Sequence, residues 1–559
     1  MRLFLLLTIH LAPYFAPQDD LYGTSVEAPA APAAAAAMTD DTDAAEAENE
    51  PRAAPTMSLD RAVVDFDPTR GRSVVLSEDK EYYASAEEVY PNVEVLVQEE
   101  DTQPLDKPII DPVKGRSLYA DAAADSAPPR TSFDLKYLTG LMDHPRFTRN
   151  VAVVGHLGHG KTSLLDVLVQ DTHFRDWPLD RPARFTDSRA DEQAREMSLK
   201  TAPISLVIPD LSGKSHLLNL ADAPGHVNLS AEATAALRLA DGVLLVVDAV
   251  EGVVMGTEKV IAQALRDGLP LVLCITKIDR LILELRLPPT DAYHKLARVL
   301  AEVNAAVIDA GGDPVAQRLS PEKGNVLFAS ALHGWVFSVQ SFARYYATAH
   351  GAAAAFPPER LALRLWGNVY MNSDRSFATK PETATAPRTF IQLVLEPLYK
   401  IYAHTLAADL PALAALCGEL GVALSKAELK LDVKPLLRLV LRRYFSDSCA
   451  ALCEALTRCV PTPVAAAAER VRRGYTGALT SPAAVGMLAC DPKAVLVLQA
   501  LKSFPRGDGA RFDTFCRVMS GTVRVGDRVR VLGPRYSPAD EEDMTVQEVG
   551  RLWVYQVRT

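Results

Sequence analysis

The chain has 559 residues, 48% of them hydrophobic and 23% charged, with a formal net charge of −11. That length accommodates several domains and that apolar share supplies each with a core. The negative balance excludes a surface that grips a nucleic-acid backbone over its whole extent, because such binding needs Lys and Arg to neutralise phosphates; protein partners with local RNA contact fit better.

At the amino terminus Arg2 precedes the apolar run Leu3-Phe4-Leu5-Leu6-Leu7-Thr8-Ile9, which resembles a secretory signal. Pro17 directly follows the plausible cleavage residue Ala16, so secretion is not expected, and a misplaced start upstream of an acidic domain accounts better for the run. Residues 18–57 are acidic and rich in Ala and Pro, too poor in apolar surface to offset the entropy of ordering, so residues 1–57 are expected to hold a signal-like start and a disordered region. Residues 58–143 form an extended segment. Within it 74–114 carries Tyr82, Tyr83 and Tyr90 in a Pro-punctuated chain, the composition of a strap that docks on another surface. No later run is long and uncharged enough to span a membrane.

Residues 144–388 alternate strand and helix patterns, the layout of an α/β domain on a mostly parallel sheet. After the apolar run Val151-Ala152-Val153-Val154, Gly155-His156-Leu157-Gly158-His159-Gly160-Lys161-Thr162 fits G-x-x-x-x-G-K-[ST] at every fixed position. The glycines let successive N–H groups turn inward around phosphate oxygens, and the helix that follows points its positive end at the same charge. Lys161 is expected to reach the β- and γ-phosphates, and Thr162 a Mg²⁺ ion. Asp222-Ala223-Pro224-Gly225-His226 follows the run Leu217-Leu218-Asn219-Leu220-Ala221 and so ends a strand. Asp222 can hold the metal through water, the Gly225 N–H can sense a γ-phosphate, and His226 falls beside the attacking water, which it is expected to orient. Thr276-Lys277-Ile278-Asp279 follows the buried-strand pattern Leu271-Val272-Leu273-Cys274-Ile275 and resembles the guanine-reading element of GTPases, usually Asn-Lys-x-Asp. There Asp279 would accept from guanine N1–H and the exocyclic amine, with the Lys277 stem along the base, so the nucleotide is expected to be GTP or GDP and not ATP. Thr276 replaces the usual Asn and loses an amide. Ser330-Ala331-Leu332, after Asn325-Val326-Leu327-Phe328-Ala329, resembles the short backbone element that closes over guanine.

Residues 389–485 read as a helical continuation of that α/β domain or a linker, with Arg438, Arg442 and Arg443 interleaved among Leu436, Leu437, Leu439, Val440 and Leu441. The run Arg470-Val471-Arg472-Arg473 can touch phosphate, though such runs are by default solvated surface. Seven cysteines, odd in number and scattered, imply a reducing compartment. Cys449, Cys453 and Cys459 lack a CxxC or His partner for zinc and are expected to pack in a helix. Residues 486–559 alternate at period two, as in Thr522-Val523-Arg524-Val525, a Gly526-Asp527 turn and Arg528-Val529-Arg530-Val531, which predicts a partial β-barrel.

Together these motifs resemble the translational GTPase superfamily. Trp366-Gly367-Asn368-Val369-Tyr370 and Leu332-His333-Gly334-Trp335 resemble its elongation factor 2 branch. Glu81-Tyr82-Tyr83-Ala84-Ser85-Ala86-Glu87-Glu88-Val89-Tyr90, Val97-Gln98-Glu99-Glu100-Asp101-Thr102-Gln103-Pro104-Leu105, Lys277 through Tyr293 and Phe390 through Lys400 resemble the spliceosomal, elongation-factor-2-like GTPases of the U5 small nuclear ribonucleoprotein. The resemblance implies an α/β P-loop GTPase domain, then a barrel domain cut short at Thr559. It places Arg195-Glu196-Met197-Ser198-Leu199-Lys200 at switch I, where Ser198 stands for the metal-binding threonine and Glu196 for a glycine, a change expected to slow loop closure. It further implies GTP, GDP and Mg²⁺ as ligands, a nuclear location, and a switch subunit that regulates small nuclear RNA unwinding and spliceosome disassembly. The implied partners are the large scaffold protein and RNA helicase of the U5 particle, with small nuclear RNA contact only local. Two other readings stay open: a ribosomal translocase of the elongation factor 2 class, and a scaffold that holds GTP with little turnover.

Overall fold

Continuous apolar runs build the central sheet, because a strand covered on both faces has no polar side to show. In chain order the principal strands of the computed structural model are β1 (Phe4–Ile9), β2 (Thr148–Val154), β3 (Ala202–Pro209), β4 (Ser215–Asp222), β5 (Gly242–Asp248), β6 (Leu271–Thr276), β7 (Val326–Ser330), β8 (Trp335–Ser338), β9 (Val497–Pro505), β10 (Phe512–Ser520), β11 (Arg528–Leu532) and β12 (Met544–Val554). The described residues are 4–9, 84, 86–92 and 130–554, apart from 175–182, 350–356, 373–375, 383–385, 446–447, 506–511, 538 and 540–541. The Ala/Pro-rich region 18–57 and most of the strap lie outside them. The chain divides into two compact units, Phe15–Lys114 and the remainder; in the first, the described residues form one short helix, Ala86–Val89, leading to an exposed Tyr90.

Seven strands make the central sheet in the order β8-β7-β6-β5-β2-β4-β3. The five inner strands run parallel, and β8 and β3 close the two edges antiparallel. The order turns around at β2, between β4 and β5, and in such sheets the ligand crevice lies beyond the carboxyl ends of the strands at that turning point. Helices α1 (Lys161–Thr172), α2 (Ser230–Leu239), α3 (Met255–Arg266), α4 (Ile278–Leu283) and α5 (Pro289–Asp309) follow β2, β4, β5 and β6.

The helices after residue 389 share the core of this sheet. A π-turn at Ile391–Leu395 leads into α6 (Glu396–Leu406), followed by α7 (Val433–Tyr444), α8 (Ser448–Cys459) and α9 (Ala467–Gly474), among others. Phe445, just past α7, stacks on Phe337 of β8 with ring centroids 4.7 Å apart and on Trp335 at 4.6 Å. Cys449, Leu452, Cys453 and Leu456 of α8 pack in one cluster with Val151 and Val153 of β2. All seven cysteines are free, and five are buried.

The second sheet is antiparallel in the order β9-β10-β1-β12-β11. Here the structure departs from the sequence reading: the signal-like run supplies β1, with Phe4 opposite Arg517 and Leu6 opposite Trp553. Register in a sheet is set by pairing partners distant in sequence, so an apolar hexapeptide with no turn beside it gives no local sign of being a strand. The basic run also differs from a solvated surface at its first residue. Arg470 and Arg517 both pair with Asp241, which follows α2 and is buried, and Asn150 donates to the same carboxylate at 2.7 Å. Burial, with the facing Arg517, brings the Arg470 guanidinium down to about 10.

Candidate nucleotide-binding site

The loop between β2 and α1 lies at the turning point of the sheet. Gly160 caps α1 in the left-handed region at φ 86°, a conformation costly for residues with a Cβ, and so lets Lys161 and Thr162 open the helix. Lys161 is buried, and its ammonium donates to the carbonyl of His156 at 2.8 Å, which curls the side chain back over its own loop. Burial lowers its pKa to about 8 against the pull of Asp222 and Asp187. His159 is buried too, its ring 3.2 Å from Glu251, and burial disfavours its charged form. Leu157 is exposed at the loop's tip.

Four oxygen-bearing side chains converge beside Lys161. Thr162 donates to Asp222 Oδ2 at 2.8 Å, Thr186 donates to the same oxygen at 2.7 Å, and the Ser198 hydroxyl lies 3.1 Å from that of Thr162. The other oxygen, Asp222 Oδ1, is buried with no hydrogen-bond partner, and burial together with the charge of Asp187 pushes this carboxyl up to about 7. A buried acceptor left alone among hydroxyls suits a hard cation with oxygen ligands, so the set fits Mg²⁺. Gly225 follows directly. A Cβ there would stand 2.6 Å from the Leu157 amide nitrogen and closer still to Lys161 Nζ, so only glycine can approach the loop this way. His226 is half-buried, and its Nδ1 accepts from its own neighbour Asn228 N at 3.2 Å. No hydrogen bond of His226 to the phosphate loop occurs among the described residues.

Thr186 and Asp187 were not legible as site residues, because they reach Asp222 only through the path of segment 184–201. That path is fixed by Asp166 of α1, whose two oxygens accept from Arg184 N and Phe185 N, each at 2.8 Å. Burial raises the Asp166 carboxyl to about 6. Further on, Glu192 Oε1 accepts from Leu199 N and Lys200 N at 2.8 and 2.9 Å and pins the stretch after Ser198. Glu196 takes the left-handed conformation at φ 52° that its glycine counterpart would adopt freely. That strain costs about 1–2 kcal/mol for an L-residue.

The base-side elements meet across the loop. Asp279 is buried and accepts from Ser330 Oγ at 2.6 Å, so the Ser330-Ala331-Leu332 turn is tied to the carboxylate expected to read guanine. Thr276 donates to His159 O at 2.6 Å and lies 3.2 Å from Val247 O, so its hydroxyl fastens the end of β6 to the phosphate loop. Lys277 is left-handed at φ 57°, and its ammonium pairs with buried Asp248 at 3.0 Å beside Arg280 at 2.8 Å. Burial opposes the Asp248 charge, but the Val250 N–H and these two cations outweigh it and hold the carboxyl below its usual range. Asp248 carried no sequence signal beyond ending an apolar strand. A cavity of about 230 Å³ opens between Lys277, Asp279, Ala331, Leu332 and α1.

Comparison with known proteins finds two matching families. The family described as the elongation factor Tu GTP binding domain matches residues 146–461, and that described as the 116 kDa U5 small nuclear ribonucleoprotein component N-terminus matches residues 16–124. The "110 kDa U5 small nuclear ribonucleoprotein component CLO" of Arabidopsis thaliana is 46% identical over 494 residues, covering 87% of this chain and 49% of that protein. The "Pre-mRNA-splicing factor cwf10" of Schizosaccharomyces pombe is 40% identical over 487 residues, covering 86% and 49%. The chain therefore spans about half the length of these relatives. A bacterial selenocysteine-specific elongation factor, EF-Sec, aligns at 23% identity over 33% of this chain and 26% of that one with a TM-score of 0.24, too slight a likeness to carry an argument. With more than half of its length matched, the chain belongs to the family of elongation factor Tu GTP-binding domains, and its relatives within it are U5 small nuclear ribonucleoprotein and pre-mRNA-splicing proteins.

Proposed function

We propose that the chain binds GTP at this cleft and works as a hydrolysing switch subunit of a U5 particle in the nucleus. The observation that carries the reading is Gly225 set against Lys161 and the Leu157 amide, because a backbone N–H at that place contacts a γ-phosphate and loses the contact when the phosphate leaves. Lys161 neutralises charge on the β- and γ-phosphates, and the loop amides from Gly155 to Thr162 cradle their oxygens. Thr162, Ser198 and Asp222 would hold Mg²⁺, which would offset phosphate charge. Asp279, Lys277 and the Ser330-Ala331-Leu332 turn select guanine. His226 swings from its contact with Asn228 to orient a water; the water oxygen bonds to the γ-phosphorus, the bond to the β-phosphate oxygen breaks, and the water's proton ends on the released phosphate. The U5 relatives support a place in that particle; the reading adds its scaffold protein and helicase as partners, with control of small nuclear RNA unwinding and spliceosome disassembly as the output.

Titration of the full chain with fluorescent GTP, GDP and ATP tests the reading: the guanine nucleotides bind and ATP does not. ATP bound as tightly as GTP overturns it. A second reading, a scaffold that keeps GTP with little turnover, is favoured by the His226 ring accepting from the Asn228 backbone N–H and by Glu196 at a strained switch position.

A further inference from the structure

Arg438 lies on α7, far along the chain from the phosphate loop and the Asp222 and Thr276 motifs, yet it lines the same cavity as Thr276, Lys277, Asp279 and Ala331. Its Nη2 donates to Gln170 Oε1 at 2.6 Å, while its Nε is buried with no hydrogen-bond partner. The group sits against the turn that follows Ala331 and Leu332, since a Cβ on Gly334 would be 3.3 Å from that Nε. Burial and Arg442 work against its charge, and Asp166 and Asp171 support it. Arg438 lines the cavity with a guanidinium that carries more N–H groups than Gln170 uses, so this cavity suits a ligand that brings acceptors. Thr276 brings no donor here in place of the family's usual amide, because its hydroxyl is spent on His159 O.

Guanine carries two acceptors on one edge, O6 and N7, and a guanidinium is the side chain that pairs with that edge two bonds at a time. Adenine keeps N7 but has an amine donor in place of O6, which a cationic donor repels. Resting on the GTP reading above, we propose that Arg438 is a specificity-determining residue that reads the O6/N7 edge of guanine while Asp279 reads the opposite N1–H and amine. Two residues on separate elements then select one base, and the helical segment takes part in recognition.

The test is equilibrium titration of the full chain with GTP, 7-deaza-GTP, which lacks the N7 acceptor, and inosine triphosphate, which keeps O6 and N7 but lacks the amine. The wild-type chain is expected to bind 7-deaza-GTP about tenfold more weakly than GTP. In Arg438→Gln, with its thermal midpoint measured alongside, GTP weakens and the two affinities come within about twofold. Equal wild-type affinity for GTP and 7-deaza-GTP, with inosine triphosphate alone weakened, leaves recognition to Asp279 and overturns the inference without any need of the variant. A tenfold ratio that persists in a folded Arg438→Gln chain overturns it as well. No binding of GTP by the wild type overturns the functional reading itself, and this inference with it.

Discussion

Asp279 is buried and holds the Ser330 hydroxyl on one oxygen, so its place is fixed before any base arrives. Asp279→Asn keeps the shape but turns an acceptor into a donor. GTP affinity should fall by at least about a hundredfold, as for a site whose buried polar group loses its complement, and xanthosine triphosphate should overtake it. Competition titration with the two nucleotides reads this directly, and an unchanged order of preference would remove Asp279 from recognition. Lys161 carries the matching case at the phosphates. Its ammonium is buried, so Lys161→Ala leaves phosphate charge uncompensated in a poorly solvated place, at about 3–5 kcal/mol. That is a loss of more than about a hundredfold in GTP affinity, and binding within about twofold of wild type would reject the loop assignment.

At the scale of elements, α2 leads from the Gly225 segment to Asp241, where Arg470 of α9 and Arg517 of β10 close on one carboxylate with side chains almost wholly buried. Asp241→Asn removes the charge that faces two guanidinium groups there and should destabilise the chain by about 3–5 kcal/mol, measured by urea unfolding. A loss under about 1 kcal/mol would mean that water or another acceptor relieves them. Nothing near Arg470 in sequence announces this partner, which is 229 residues away, and the run reads as surface for that reason. The same distinction divides the rest of the molecule. The phosphate loop was legible because strand, glycines and helix are contiguous, and the Asp222 and Asp279 segments because each closes an apolar strand. Thr186, Asp187, Asp248 and Arg438 were not, because their roles depend on where a chain returns and not on what adjoins it. The helices after residue 389 were legible as a continuation of the α/β domain or a linker, but not which strands α8 covers, since helical periodicity shows an apolar face without naming what covers it.

For the whole molecule, the question is whether the cleft turns over or only holds its nucleotide, and His226 separates the two. Its ring accepts from Asn228 N and touches none of the described loop side chains by hydrogen bond, so removing it should leave GTP affinity nearly unchanged. Lys161, Gly225 and the Asp222 group keep their own contacts in the variant. Hydrolysis should fall by about a hundredfold in His226→Ala, the scale of losing one positioned acid–base or water-orienting group. The acidic chain is expected to meet its activator as a protein surface, since its net charge of −11 disfavours broad contact with RNA. Turnover is therefore measured in an assembled spliceosomal particle, by single-turnover hydrolysis of wild type and His226→Ala at equal occupancy. A hundredfold gap supports the switch. Equal measurable rates reject the catalytic role of His226, and no detectable turnover in either chain, with GTP still bound, establishes the scaffold instead.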